Sequence, residues 1–431
     1  MKRRWRVSTA LAASAFTLAA LGTAGMGAVA TNASAAAKTT TTLTLWQDGS
    51  VASSASYLPD LVASFEHSHP GVKVNVVAEP SGNYFALLQT SFISKTAPDI
   101  ADLFAGTYLS GLEPYMTNLK SYIPATLVKT AKGMKYYAQN ENINQALYGV
   151  PSADQFYNGF YNKALFRKAG IKSFPTTWSQ LFAACTTLKS HGIEPMSYSL
   201  NENGAHEDWS YLASAIALSN WNSLLNDKLS YADPTLIYQV QQWAMLYKNG
   251  CTNHDPVTST TAQQAFSTGK SAMYVGGSWL IPPFQSLGAN LGVMIPPYSK
   301  SPQRTIVEMP GGGYGVPSSS QHVALAAEFL TYMLSEKGQQ IIASSGQPPV
   351  ISMGVKLTNP AMKQLIALAD SGKYVQYPMF DNYTQPSVAT AINNEMNLAF
   401  VGQTSAKAAL SNLEATQAAL PAKLRNINYR F

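Results

Sequence analysis

Charge is scarce in this chain. Lys, Arg, Asp and Glu make up 12% of 431 residues, against about 25% in an ordinary soluble protein. Such a surface solvates itself through Asn, Gln, Ser, Thr and Tyr. Few carboxylates titrate on acidification, so little positive self-repulsion builds up and tolerance of mildly acidic surroundings is expected. The four basic residues Lys2, Arg3, Arg4 and Arg6 sit at the very start, and the remainder carries 25 basic against 23 acidic residues. That balance excludes the basic footprint of a nucleic-acid binder and gives no reason to expect an anionic membrane surface as partner.

Catalytic and metal-binding motifs are also missing. There is no Gly-x-Ser-x-Gly elbow and no His-Glu-x-x-His, and the glycine run 311–315 is not followed by the Lys-Ser/Thr of a phosphate loop. His67 and His69 can reach one ion, but no acidic cluster lies near them and the chain has only six histidines, so a surface pair and no metal site is expected. No cofactor is implied. The two cysteines, Cys185 and Cys251, leave two readings open. Cys185 lies at helical spacing with Trp178, Leu181, Phe182 and Leu188 and suits a buried thiol, while export would allow a disulfide.

What is present begins with a targeting pattern. The basic start is followed by an uncharged stretch from Val7 to Ala37, and Ala33-Ser34-Ala35 offers small residues to a signal peptidase. Cleavage after Ala35 is expected, making residues 1–35 a signal peptide. An uncleaved anchor over Ala10–Ala30 is the competing reading, weakened by its Ala, Gly, Thr and Ser content. The Arg3-Arg4 pair is compatible with a twin-arginine signal, but its flanking residues match poorly. No cysteine follows the apolar stretch, so lipid tethering at that point is not expected.

The remaining length and 46% hydrophobic content suit two lobes with sizeable cores. A strand at Leu43–Trp46 ends in the turn Gln47-Asp48-Gly49-Ser50. A helix over 57–67 stops at Pro70-Gly71, and a strand at 72–77 and a helix at 84–94 follow. Pro98-Asp99-Ile100 opens another strand. This rhythm predicts a mainly parallel sheet covered by helices. Further helices are expected at 178–189, 209–218, 234–248, 321–334, 360–369 and over the Ala-rich tail 387–420, and a strand at 272–275. The glycines 311–315 read as a flexible crossing. No internal repeat is seen.

Two constellations carry chemistry. Glu202, Glu207 and Asp208 gather beside Trp209, and a glycosidase needs two carboxyls about 5–9.5 Å apart. No second carboxylate site shows at strand ends, so the preferred reading is a loop that hydrogen-bonds a hydroxylated ligand without reacting with it. Aromatics at element ends are the stronger signal: Trp46, Trp209 and Trp279 lie beside Gly, Asp or Ser, and Tyr84, Phe104 and Tyr157 are similarly placed. A sugar ring offers an apolar C–H face to such rings and a rim of hydroxyls to Asp, Asn and Gln. Open α/β sheets bind ligands at strand ends.

Taken in order, several segments resemble the maltose-binding-protein-like family of extracellular solute-binding proteins that serve sugar ABC importers. They are Leu43–Trp46, Phe65–Val76, Ala97–Ile100, Leu147–Pro151, Tyr161–Ile171 with Pro175–Trp178, Gly269–Tyr274 with Gly277–Trp279, and Ala327–Leu330. The resemblance implies an α/β, two-lobe periplasmic-binding-protein-like fold with a ligand cleft between lobes. It implies residues 43–152 and 312–355 in an N-terminal lobe and residues 153–311 and 356–431 in a C-terminal lobe. Crossings are then expected near Val150–Tyr157, Met309–Tyr314 and Lys356–Asn359. It implies a non-catalytic, monomeric, exported protein, periplasmic or held at the cell surface, that captures a sugar and presents it to membrane permease subunits. Carried over by position, the site would comprise Trp46, Asp48, Tyr84, Asp102, Phe104, Gln155, Tyr157, Trp209, Trp279, backbone N–H groups of Gly312 and Gly313, and Tyr383. Tyr383 fits least, because residues 381–386 depart from the aromatic helix expected there. A secreted carbohydrate-active enzyme, or a binder of a polyol, phosphoglycerol ester or peptide, are the competing readings.

Overall fold

The structure is a computed structural model, and it describes residues 40–49, 55–80, 83–199, 208, 212–255, 257–295 and 304–425. The expected signal peptide, Trp209, Glu202 and Glu207 lie outside the described residues. Two mixed sheets, each covered by helices, organise the chain. The first has strand order β2-β1-β3-β10-β4, built from β1 (Thr41–Asp48), β2 (Val72–Glu79), β3 (Ile100–Phe104), β4 (Val150–Pro151) and β10 (Gly312–Gly315). The second has order β11-β9-β5-β7-β6 with β8 beside β5. Its strands are β5 (Phe156–Asn162), β6 (Glu194–Met196), β7 (Ser271–Gly277), β8 (Leu291–Met294), β9 (Thr305–Glu308) and β11 (Val375–Tyr377). The chain therefore leaves the first sheet after β4, enters the second at β5, returns at β10 and is back in the second by β11.

The expected parallel rhythm holds where helices connect strands. The helices Leu58–Ser68 and Tyr84–Ser94 return the chain over the sheet, and β1 pairs in parallel with both β2 and β3. A mainly parallel arrangement fails elsewhere. β10 runs antiparallel to β3 and β4, and β5 runs antiparallel to β7, β8 and β9. The reason is connectivity: β5 and β10 are entered from the other sheet through a few residues, with no crossover helix to reverse the chain. The supposed flexible run 311–315 is thus a buried inner strand. Glycine is needed at Gly313, where a β-carbon would stand 2.2 Å from the Val150 carbonyl oxygen.

Side-chain caps fix several helix starts. Thr177, Asp233, Ser335, Asn359 and Ser405 each accept a backbone N–H of the first turn through their side chains, and Pro234 and Pro360 occupy the first helical position. Two expectations are corrected. The helix over 209–218 does not run through: among the described residues, 214–216 form a turn and the helix begins at Leu218, ending at Leu225. The Ala-rich tail is two helices, Pro386–Phe400 and Ala406–Ala418, packed against each other. Gly402 at φ +77° turns the chain and Ser405 caps the second helix.

Cys185 is buried on the inner face of the helix Trp178–Ser190, as its spacing predicts, but it is not a free thiol. It is bonded to Cys251, with Cα atoms 5.4 Å apart. Beside the bridge, the buried Trp178 indole N–H donates to the Gln239 Oε1 at 2.9 Å, tying this helix to Pro234–Lys248. The His69 ring stacks on Phe65 and its Nε2 lies 3.1 Å from Glu328. No helix among the described residues is long and apolar enough to cross a membrane.

Candidate functional site

A cleft of about 870 Å³ opens where elements of the two sheets face each other. Its floor on the first-sheet side is set by the C-terminal ends of β1 and β3. Asp48 closes β1, Asp102 lies within β3, and the Asp48 backbone N–H donates to Asp102 Oδ2 at 3.2 Å. Both carboxylates are buried. Burial first, then the Asp48 charge, pushes the Asp102 carboxyl well above the usual carboxylate range, so Asp102 holds a proton more readily than a free aspartate.

The Tyr84 ring lines the same wall but is 1% exposed. Its hydroxyl is spent on the protein, donating to the backbone oxygens of Asp102 at 2.9 Å and Trp46 at 3.3 Å. The next residue, Phe85, is half-buried and lines the cleft beside it. It packs against Phe104 and Tyr108 at ring-centroid distances of 5.2 and 4.8 Å, giving a three-ring aromatic surface on this wall.

The facing wall carries Tyr157 and Trp279. Their rings meet edge to face at 5.2 Å, and the Tyr157 hydroxyl donates to Asp381 Oδ2 at 2.8 Å. Trp279 is half-buried in a single helical turn after β7. Its ring folds back over Gly277, where a β-carbon would lie 2.0 Å from the indole Cη2. Deeper on this side Asp208 accepts the Tyr198 hydroxyl at 2.5 Å, and burial raises its carboxyl to about 7. At the crossings, Gln155 lies between the walls, and its Oε1 accepts the Gly312 N–H at 2.9 Å.

Of the expected site residues, Asp48, Tyr84, Asp102, Phe104, Gln155, Tyr157, Trp279, Gly312 and Gly313 line this cleft. Three details are corrected. Trp46 is not among the lining residues, because β1 continues two residues beyond it to Asp48. The indole therefore sits on the face of the sheet, half-buried against the core, with Val77 and Ala101 as strand neighbours. Tyr383 is buried away from the cleft, edge to face with Tyr136. It belongs to the helical turn Phe380–Tyr383, which presents Asp381 and Asn382 to the cleft, and a residue two steps from Asp381 points about 200° away on a helix. The Gly312 N–H is engaged by Gln155, and Gly313 is enclosed between β3 and β4.

Residues not foreseen as lining the cleft include Phe85, Tyr108, Tyr198, Asp381 and Asn382. The turn holding the last two is locked to the first sheet's loop, since the Asn382 amide donates to the Ala105 oxygen and the Thr107 hydroxyl donates to Asn382 and Thr384 oxygens. The Phe85 and Tyr108 signal was present as aromatics one helical turn from each strand end, but nothing in the sequence told Phe85 from its neighbour Tyr84. Among the described residues lining the cleft there is no Lys, Arg or His. No cluster of His, Cys, Asp and Glu among the described residues could hold a metal ion.

The family model of bacterial extracellular solute-binding proteins matches residues 48–340, from the end of β1 into the helix Glu336–Ser344. The chain belongs to this family. Among curated relatives, the solute-binding chain is 22% identical over 341 residues to the multiple sugar-binding protein of Streptococcus mutans, spanning 74% of this chain and 77% of that one. Among solved structures, a chitin oligosaccharide binding protein superposes with a TM-score of 0.76 at 19% identity, covering 88% of this chain and 98% of the other. The maltose-bound MalE3 of T. maritima superposes with a TM-score of 0.72 at 18% identity, covering 88% and 100%. These likenesses establish the two-lobe α/β fold.

Proposed function

We propose that this chain is the substrate-capturing subunit of a sugar ABC importer, binding an oligosaccharide outside the cell in the cleft between its sheets and delivering it to membrane permease subunits. The observation that carries the reading is the pair of aromatic surfaces on opposite walls, Phe85, Phe104 and Tyr108 on one and Tyr157 with Trp279 on the other. Two platforms with a polar belt of Asp48, Gln155, Asp208 and Asp381 between them suit the alternating apolar faces and hydroxyl rims of linked sugar rings. At about 870 Å³ the cleft is far larger than one ring needs. Relatives named for binding sugars and oligosaccharides point the same way.

On this reading residues 43–152 with 312–355, and 153–311 with 356–431, form the two lobes, and the sheet memberships support that division. The protein acts as an exported monomer held at the cell surface or in the periplasm without a lipid-bearing cysteine. It performs no chemistry on its ligand.

Titration of the protein against a panel of neutral oligosaccharides, followed by melting temperature, tests the function. A ligand at 100 times its dissociation constant adds about 2.7 kcal/mol of stability. No stabilisation by any saccharide would sink the sugar reading. The glycosidase reading has one observation behind it: the buried Asp208 carboxyl at about 7 is the protonation state that a general acid needs. Incubation with end-labelled oligosaccharides separates the two, since release of shorter fragments would replace binding by hydrolysis.

A further inference from the structure

Away from the cleft, four ionisable side chains from separate stretches of chain meet where the two sheets are connected. Lys132 belongs to the segment between β3 and β4, and so to the first sheet's side. Asp154 lies in the connection from β4 to β5. Glu308 is the last residue of β9 in the second sheet, directly before the return to β10. Asp370 follows the helix Pro360–Ala369, which packs on β8. The Lys132 Nζ lies 3.2 Å from Asp154 Oδ2, 3.2 Å from Glu308 Oε1 and 3.6 Å from Asp370 Oδ1. The remaining stretch between the sheets is tied in as well. The Asp154 N–H donates to the Pro348 oxygen at 2.8 Å, and the Lys132 N–H to the Val350 oxygen at 2.9 Å.

The arrangement is costly. The Asp154 side chain is 1% exposed and that of Glu308 8%, yet one ammonium serves both. Asp154 Oδ1 and Glu308 Oε2 are buried with no donor from another residue, and the two carboxyls lie close enough to share a proton. Burial, then the Glu308 charge, raises the Asp154 carboxyl despite Lys132. Burial opposes the Lys132 charge, but Asp154, Glu308 and Asp370 together hold the ammonium above its ordinary range. The other ionisable groups near this site are Tyr136, which senses the charges of Glu141, Glu308 and Asp154, and Lys135, 4.8 Å from the Tyr136 ring centre. Breaking a buried pair on one side leaves an uncompensated charge, whereas moving the lobes apart would let water reach it.

We propose that Lys132, bridging Asp154, Glu308 and Asp370 across the lobe connections, is an electrostatic latch that holds the two lobes in one relative placement and so sets how readily the protein opens and closes. The latch needs the two-lobe fold and no particular ligand. It predicts that Lys132→Met leaves two buried carboxylates without a cation, so that the lobes separate to hydrate them at pH 7.5. At pH 5 the separation narrows, because burial and the neighbouring Glu308 charge favour the protonated form of Asp154.

The test is small-angle X-ray scattering of the ligand-free protein at both pH values. A compact chain of this length has a radius of gyration of about 22 Å, and Lys132→Met should exceed the wild type by about 1 Å at pH 7.5 and fall back toward it at pH 5. Lys132→Arg should restore the wild-type radius. Asp370→Asn removes the exposed outer partner without burying anything new, and should give a smaller increase in the same direction. A folded Lys132→Met protein with the wild-type radius at both pH values overturns the latch. If Lys132→Met fails to melt cooperatively, Asp370→Asn and Glu308→Gln carry the test, and unchanged radii in both overturn it. Since no sugar is present, failure here leaves the proposed ligand class standing, and failure of the sugar panel leaves the latch standing.

Discussion

Trp279 stands where indole area and backbone geometry meet. Its ring is held against Tyr157 and over Gly277, half-buried before any ligand arrives. Stacking on a sugar face would complete its burial. Trp279→Ala is therefore expected to cost roughly 2–3 kcal/mol of binding, a loss of about 30- to 150-fold in affinity. Its effect on ligand-free stability should stay below the about 3–5 kcal/mol of a fully buried aromatic. Calorimetric titration and a denaturant melt of the one variant check both halves. Unchanged affinity beside a collapsed melt would reassign Trp279 to the core. Asp208 makes a second residue-level case. Burial raises its carboxyl from 3.8 to about 7, so between those values the folded protein keeps a proton that the unfolded chain has lost. Its contribution is most favourable below the lower value and is lost as pH rises through the upper one. Asp208→Asn should flatten the fall in melting temperature between pH 5 and pH 8. An unaltered slope would show that this carboxyl does not control it. Burial raises the Asp102 and Asp154 carboxyls in the same direction.

At the level of elements, caps and breakers did most of what could be read in advance. Thr177, Asp233, Asn359, Pro234 and Pro360 mark helix starts that the structure places within a residue or two of the expected positions. The strands β4, β5, β6, β8, β9 and β11 were not read, and β10 was read as a crossing. β5 contains Asn158, Gly159 and Asn162, all buried, so it shows neither alternation nor a plain apolar run, and its strand character comes from three neighbours in the sheet. The disulfide belongs to this scale. It joins the helix Trp178–Ser190 to the segment after Pro234–Lys248 across a sequence separation of 66 residues. Closing a loop of that size should stabilise the fold by about 2–4 kcal/mol. The Cys185→Ser, Cys251→Ser double variant should melt at lower denaturant concentration by a corresponding amount while keeping its ligand affinity, since neither sulfur lines the cleft. An equal midpoint would mean that native packing alone holds these elements.

For the whole molecule, the telling feature is that β10 sits between β3 and β4, although some 160 residues and most of the second sheet lie between β4 and β10 in the chain. The first sheet cannot close until the second part of the chain has been made. A chain ending at residue 311 should therefore lack a cooperative unfolding transition and aggregate, because β3 is left with an unpaired edge and β4 with no neighbour. Circular dichroism during a thermal ramp checks this. A sharp native-like transition would show that the first sheet is complete without β10.

The sequence by itself determined the class of molecule. Scarce charge, missing catalytic motifs, a strand–helix rhythm in the first hundred residues and aromatics at strand ends are local properties, readable because period, caps and turn chemistry act over a few residues. Asp48, Asp102, Phe104 and Trp279 could be named because they sit at or near element ends that such signals locate. What tertiary structure alone decided was facing and pairing. It decided that Phe85 stands more open to the cleft than its neighbour Tyr84, that Trp46 faces the sheet and Tyr383 turns away, and that Cys185 finds Cys251. It also brought Lys132 to Asp154, Glu308 and Asp370. Each of these depends on contacts between segments far apart in the chain, and a one-residue shift along a strand or helix reverses the answer without altering any local pattern.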